Sequence, residues 1–224
     1  MEVNLMKVEA VQLWKDGPKF ANMNLGATSE ADYGLYYAWG ATTDFCQMDL
    51  SYDWPNSPYF TGDSFASSSS LASQILDWSK YCGPDERLDP EDDAATVNWG
   101  RGWRMPTIDE MRQLKDNTLC KIERATVGGY IGFKVTGVMK GYTDKSIFLP
   151  GGQSYIRRSY PREEDLGKEG HYWTSSRGVN YDVNHINLAW EADIVNYVDY
   201  IIVFDYMFYR TEYRCFGLTI RPVK

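Results

Sequence analysis

Two histidines, four cysteines and a few short acidic or serine clusters are where this 224-residue chain could do chemistry. His171 precedes Ser175 and Ser176 by four and five positions, and a Ser/His pair is a minimal set for nucleophilic catalysis. No nucleophile motif surrounds them, and a polar strand end accounts for the same residues. His185 stands in no metal or nucleophile motif. In "PEDD", Glu91, Asp92 and Asp93 offer oxygen ligands to a hard cation such as calcium. Acids gathered at the positive end of a helix explain that run without a cation. Cys46, Cys82, Cys120 and Cys215 are scattered without C-x-x-C spacing, which argues against zinc. Free thiols and one or two disulfides both fit that spacing. "GRGW" and "GGYIGF" lack the strand–turn–helix setting of a phosphate loop. No cofactor, no metal and no enzymatic activity is therefore expected.

Composition narrows the partners. A net charge of −8 disfavours nucleic acid and anionic lipid, both of which call for a basic face. The opening "MEVNLMKVEAVQLW" is broken by Glu2, Lys7 and Glu9 and contains no signal-peptide core. Either the protein does not use that export route or its leader has been removed. Aromatic residues reach 15%, with 17 Tyr and 8 Trp, which points to a loop-rich β or α+β fold, a contact surface, or both.

The elements that would position such a surface are short. Residues 8–14 alternate as a strand, "DGPK" reads as a turn and "FANMNLGA" as a second extended piece. Residues 28–40 suit a short helix or a turn ending at Gly40. A Ser/Pro-rich loop insertion occupies 41–73 within a single domain spanning 1–224. Residues 89–100 read as a helix with Asp89 as cap, Pro90 in its first turn and Gly100 as its stop. Residues 107–117 form the clearest helix: Thr107 and Glu110 make a capping box, and Ile108, Met111 and Leu114 repeat at helical spacing. "GGYIGFKVTG" and "KSIFLPGG" read as paired strands. "FGLTIRPVK" reads as a closing strand, with 8–14 as its partner. Trp14, Trp39, Trp99, Trp103, Trp173 and Trp190 are expected to be mostly buried packing residues.

Residues 194–214, "IVNYVDYIIVFDYMFYRTEYR", are the least ordinary part of the chain. Thirteen of the first sixteen are apolar or aromatic, the exceptions being Asn196, Asp199 and Asp205. Two Asp in sixteen residues exclude a membrane span, and apolar residues on every face exclude an amphipathic helix. β-branched and aromatic residues favour strands near 194–198 and 201–206. Tyrosines among small polar residues, with no Lys or Arg from Gly178 to Tyr209, give the composition of a binding loop. The candidate ligand-binding residues are Tyr181, Asp182, Asn184, Tyr197, Asp199, Tyr200, Phe204, Asp205, Tyr206, Phe208, Tyr209 and Thr211. The acids among them favour a basic or neutral epitope.

Several blocks resemble a known group. "VQLWKDGPKFANMNLGATSEADYGLYYAWGATT" resembles the opening of the Fibrobacter succinogenes major paralogous domain of gut Bacteroidetes. "LDPEDDAATVNWGRGWRMPTIDEMRQL" is similar to its central block, and "GHYWTSS" and "GLTIRPVK" to its closing blocks. "WRMPTIDEM" also resembles a block of the formylglycine-generating enzymes. Both resemblances imply an α+β, C-type-lectin-like (formylglycine-generating-enzyme-like) fold with two helices, mixed short strands and paired N- and C-terminal strands. The oxidase chemistry rests on a cysteine pair, whereas Cys215 is alone in the C-terminal third here. The stretch 177–216 resembles the variable region of diversity-generating retroelement target proteins. That likeness implies a hypervariable ligand-binding region in which Trp190, Glu191, Met207 and Glu212 are fixed scaffold positions. The expected function is a non-catalytic, receptor-binding or adhesive protein of a cell or phage surface, binding a protein or glycan. A carbohydrate-binding adhesin module is the alternative, and an oxidase relative a more distant one.

Overall fold

The computed structural model describes residues 7–44, 87–151, 169–177, 188–195, 207–213 and 217–224. These form an α+β structure with two short helices and small antiparallel sheets. Ala10–Gln12 (β1) and Lys19–Ala21 (β2) make a hairpin. Its turn uses Asp16 at a positive φ of 61°, and the Gly17 N–H donates to the Trp14 carbonyl. Because the chain doubles back there, β2 and not β1 meets the C-terminus. Lys19 and Lys224 exchange backbone hydrogen bonds, Ala21 N–H donates to Pro222 O at 2.8 Å, and Leu25 N–H donates to Ile220 O at 2.9 Å. The partner expected for 217–223 was 8–14; the hairpin displaces that pairing to 19–25. Farther along, Leu218 exchanges bonds with Tyr37, and Val223 with Arg104. The closing segment is thus a series of isolated bridges to several neighbours.

Residues 28–40 form turns rather than a helix. The Asp32 carboxylate accepts from Thr28 N–H, Thr28 Oγ1 and Gly34 N–H, and these local bonds compete with helical ones. Gly34 has φ 73°, and a Cβ there would stand 2.5 Å from the Leu25 carbonyl oxygen.

Helix α1 spans Ala94–Trp99, shorter than the sequence suggests. Its cap is Asp93, not Asp89, whose carbonyl instead closes a preceding turn with Asp92 N–H. The end is as expected: Gly100 takes φ 55° and returns its N–H to Thr96 O. Helix α2 spans Ile108–Gln113, with the Thr107/Glu110 capping box fully formed. Arg104 grips Glu110 through both carboxylate oxygens, at 2.8 and 2.6 Å. Burial alone would raise the Glu110 pKa. The bonds from Arg104 and Thr107 outweigh it and hold this carboxyl below its ordinary value.

Cys120–Val127 (β3), Tyr130–Gly137 (β4) and Ser146–Pro150 (β5) form an antiparallel sheet in that order. β4 and β5 pair as the sequence predicts. β3 was not expected, because Lys121, Glu123 and Arg124 mask its alternation. Its signal is the two-residue turn Gly128–Gly129, with φ of 57° and 88°, a geometry that joins twisted strands and that glycine favours. The third sheet is Glu169–Arg177 (β6), Leu188–Val195 (β7) and Met207–Tyr213 (β8), antiparallel and in chain order. These strands flank the segment in which strands were expected at 194–198 and 201–206. Only 194–195 coincide with a strand, and 196–206 lie outside the described residues, as do 45–73 of the expected loop insertion.

Two apolar clusters hold the structure. One gathers Leu13, Phe20, Met111, Val135, Leu149 and Tyr172 among others, and the second Tyr37, Trp39, Met105, Trp173, Leu218 and Ile220. Successive strand residues point to opposite faces, so Tyr172 enters the first core and Trp173 the second. β6 is the wall between them. Trp14, Trp39, Trp103 and Trp173 are buried and Trp99 is half-buried, in keeping with a packing role.

Candidate functional site

β6 leads into residues 178–187 and pairs with β7, and burial and hydrogen bonds fix it in place. His171 through Ser176 are all buried. Trp173 N–H donates to Thr219 O, and Thr219 Oγ1 donates to His171 O at 2.7 Å. Two indoles cross-brace the strand: Trp39 Nε1 donates to Thr174 O at 2.8 Å, and Trp173 Nε1 donates to Tyr37 O at 2.7 Å. Tyr172 Oη donates to Pro150 O at 2.7 Å, tying β6 to β5. Burial pushes the Tyr172 phenol up to about 12, so it is a neutral donor at ordinary pH. The register to β7 shifts between Trp173 and Arg177. At that irregularity Ser175 N–H bonds to Pro106 O and Ser175 O accepts from Leu88 N–H.

Ser175 Oγ donates to Pro106 O, and Ser176 Oγ accepts from Ile108 N–H at the start of α2. Both hydroxyls serve backbone groups, as a polar strand end would. The "PEDD" run is likewise structural at its last member. The Asp93 carboxylate accepts from Thr96 N–H and from Met105 N–H, joining the start of α1 to the segment before α2. Burial raises its pKa, with those bonds opposing the rise. Among the described residues there is no group of three His, Cys, Asp or Glu that could hold a metal ion. No helix among them is long and apolar enough to cross a membrane. Cys120 is a free, buried thiol pushed up to about 12 by burial and by the nearby Asp116 charge. A thiol so placed is a poor nucleophile. Cys46, Cys82 and Cys215 lie outside the described residues, as does His185.

Of the candidate binding residues, Phe208, Tyr209 and Thr211 fall on β8. They pair with Asp193, Ala192 and Trp190 of β7. Tyr181, Asp182, Asn184, Tyr197, Asp199, Tyr200, Phe204, Asp205 and Tyr206 lie outside the described residues. The strands nevertheless fix where their connections attach. Residues 178–187 leave the Arg177 end of β6 and enter β7 at Leu188, whereas 196–206 leave β7 at Val195 and enter β8 at Met207. The two attachments are at opposite ends of β7, whose eight residues extend about 25 Å.

The sequence reading missed Arg221. Thr219 and Arg221, the polar residues between Leu218 and Pro222, are both buried. Arg221 Nε donates to Asn24 Oδ1 at 2.8 Å, while Nη1 and Nη2 donate to Ala21 O and Phe148 O at 3.0 and 2.7 Å. One guanidinium thereby joins the N-terminal region, β5 and the C-terminus. Asn24 in turn donates Nδ2 to Tyr33 O. In the sequence Arg221 is marked only by its place between Ile220 and Pro222. No family model, no curated protein and no solved structure matches the chain.

Proposed function

We propose that this chain is a non-catalytic recognition protein: a C-type-lectin-like frame that presents an aromatic, acidic region within 177–216 to a protein or glycan. The observation that carries the reading is the bracing of β6. Every residue from His171 to Ser176 is buried, and hydrogen bonds run from this strand to Tyr37, Trp39, Pro106, Pro150 and Thr219. A surface grown from so fixed a strand loses little conformational entropy on contact. Tyr and Phe then supply contact area with few rotatable bonds. The acids Asp199 and Asp205, on the one connection between β7 and β8, favour a neutral or basic epitope. In this reading residues 177–216 vary between sister genes, and Trp190, Glu191, Met207 and Glu212 belong to the frame.

Sequencing the 3′ end of the gene and its flanking DNA across isolates tests the reading. The expected result is that substitutions concentrate at codons 177–216, spare those four positions, and accompany a reverse-transcriptase gene with a near-copy of the segment that differs at adenines. Tyrosine codons kept uniformly across isolates, with no such copy, would overturn the hypervariable assignment.

A further inference from the structure

We propose that β8 is a self-pairing edge through which the chain associates with a second copy of itself along Tyr209–Tyr213. In the order β6-β7-β8, β8 stands at the border of its sheet and is bonded to β7 along one side. Among the described residues no strand takes its other side. The outward backbone N–H and C=O groups of a border strand can template another strand.

The sequence of β8 says which strand fits. Tyr209-Arg210-Thr211-Glu212-Tyr213 reads alike from either end, except that the charges exchange sign. Place a two-fold axis at Thr211, normal to the sheet. Arg210 then comes level with Glu212 of the second copy, Tyr209 with Tyr213 of the second copy, and Thr211 with its own counterpart. Opposite charges, paired aromatics and paired threonines are the favourable cross-strand combinations. Symmetry makes the first two kinds occur twice.

Competing registers fail on the same grounds. An axis at Arg210 sets Arg against Arg, and one at Glu212 sets Glu against Glu. A one-residue slip would need the second sheet turned face over, which that two-fold does not allow. Protective edges repel a neighbouring strand with their charges; β8 carries both signs in the order that attracts. The strip is narrow compared with a standard interface, so the association is weak and concentration-dependent. The inference does not rest on the recognition reading, and it requires Tyr209, Arg210, Thr211 and Tyr213 to be kept where that reading lets them vary.

Sedimentation velocity of the whole chain over a wide concentration range tests it. The wild type should pass from monomer to dimer as concentration rises. Arg210→Glu and Glu212→Arg each oppose like charges at two positions and should weaken self-association roughly tenfold or more. Within the chain Arg210 is level with Glu191 of β7, so the triple exchange E191R/R210E/E212R is the one that restores both pairings, and it should return association to within about threefold of wild type. Circular dichroism and thermal melting establish that each variant is folded. If a variant does not fold, salt titration of the wild type supplies the reading, because association through two exposed ion pairs weakens as salt rises. A wild type that stays monomeric, a dimer indifferent to both single reversals, a folded triple exchange that stays monomeric, or association unweakened by salt would each overturn the proposal.

Discussion

Arg221→Ala is expected to destabilise the protein by about 3–5 kcal/mol, the largest loss from any single polar substitution in the described structure. Arg221 is fully buried, and its donors satisfy Asn24 Oδ1, Ala21 O and Phe148 O. Burial pulls its pKa down to about 10, with Tyr172 opposing the drop, so the guanidinium is protonated and every donor is present at neutral pH. Truncation leaves three buried acceptors without a partner, and each orphan costs about 1–3 kcal/mol. It also cuts the one side chain that links the segment after β2, β5 and the C-terminus. Arg221→Met separates the causes. It keeps most of the volume and none of the donors, so it should cost nearly as much as alanine. Urea unfolding monitored by tryptophan fluorescence measures both. A loss under about 1 kcal/mol for Arg221→Ala would show that water replaces the guanidinium and that the link is dispensable.

Trp173→Ala is expected to cost about as much, 3–5 kcal/mol, for a different reason. The indole is fully buried in the second core, and its Nε1 donates to Tyr37 O at 2.7 Å. Removing it opens a cavity between β6 and the closing segment, because Leu218 and Ile220 are held by backbone bonds and inward packing and cannot collapse into it. Trp173→Phe retains much of the apolar bulk and loses the donor, so it should cost about 2 kcal/mol. Equilibrium unfolding should rank the proteins wild type, Phe variant, Ala variant. A Phe variant as unstable as the Ala variant would assign the effect to the hydrogen bond and not to packing.

What the sequence reveals here depends on how local each interaction is. The Thr107/Glu110 box lies within four residues and is read correctly, as is the Gly100 stop. The cap of α1 is misread by four positions because the deciding bonds, from Met105 N–H to Asp93, cross twelve residues of chain. The N- and C-terminal regions do meet, but the turn at Asp16–Gly17 hands the contact from 8–14 to 19–25, an outcome that hydrophobic alternation cannot specify. β3 is missed because its charges occupy positions that alternation reserves for apolar residues, although its Gly128–Gly129 turn is visible in the sequence. Arg221 is the deepest miss. Its partners are 73 to 200 positions away, and nothing nearby marks it as buried. The candidate surface is legible in composition, but composition carries no topology. The attachment of 178–187 and 196–206 at opposite ends of β7 is visible only in the sheet.

The central claim is that the tyrosines between 181 and 206 face water from a fixed frame. Nitration of the native protein with tetranitromethane at neutral pH, followed by peptide mass mapping, tests it most directly. Tyr37 and Tyr172, which are 2% and 0% exposed, serve as protected internal references. The account predicts rapid modification of Tyr181, Tyr197, Tyr200 and Tyr206 while both references stay intact. Modification of those four only when Tyr37 and Tyr172 react, on unfolding, would place their rings in the core and contradict the account.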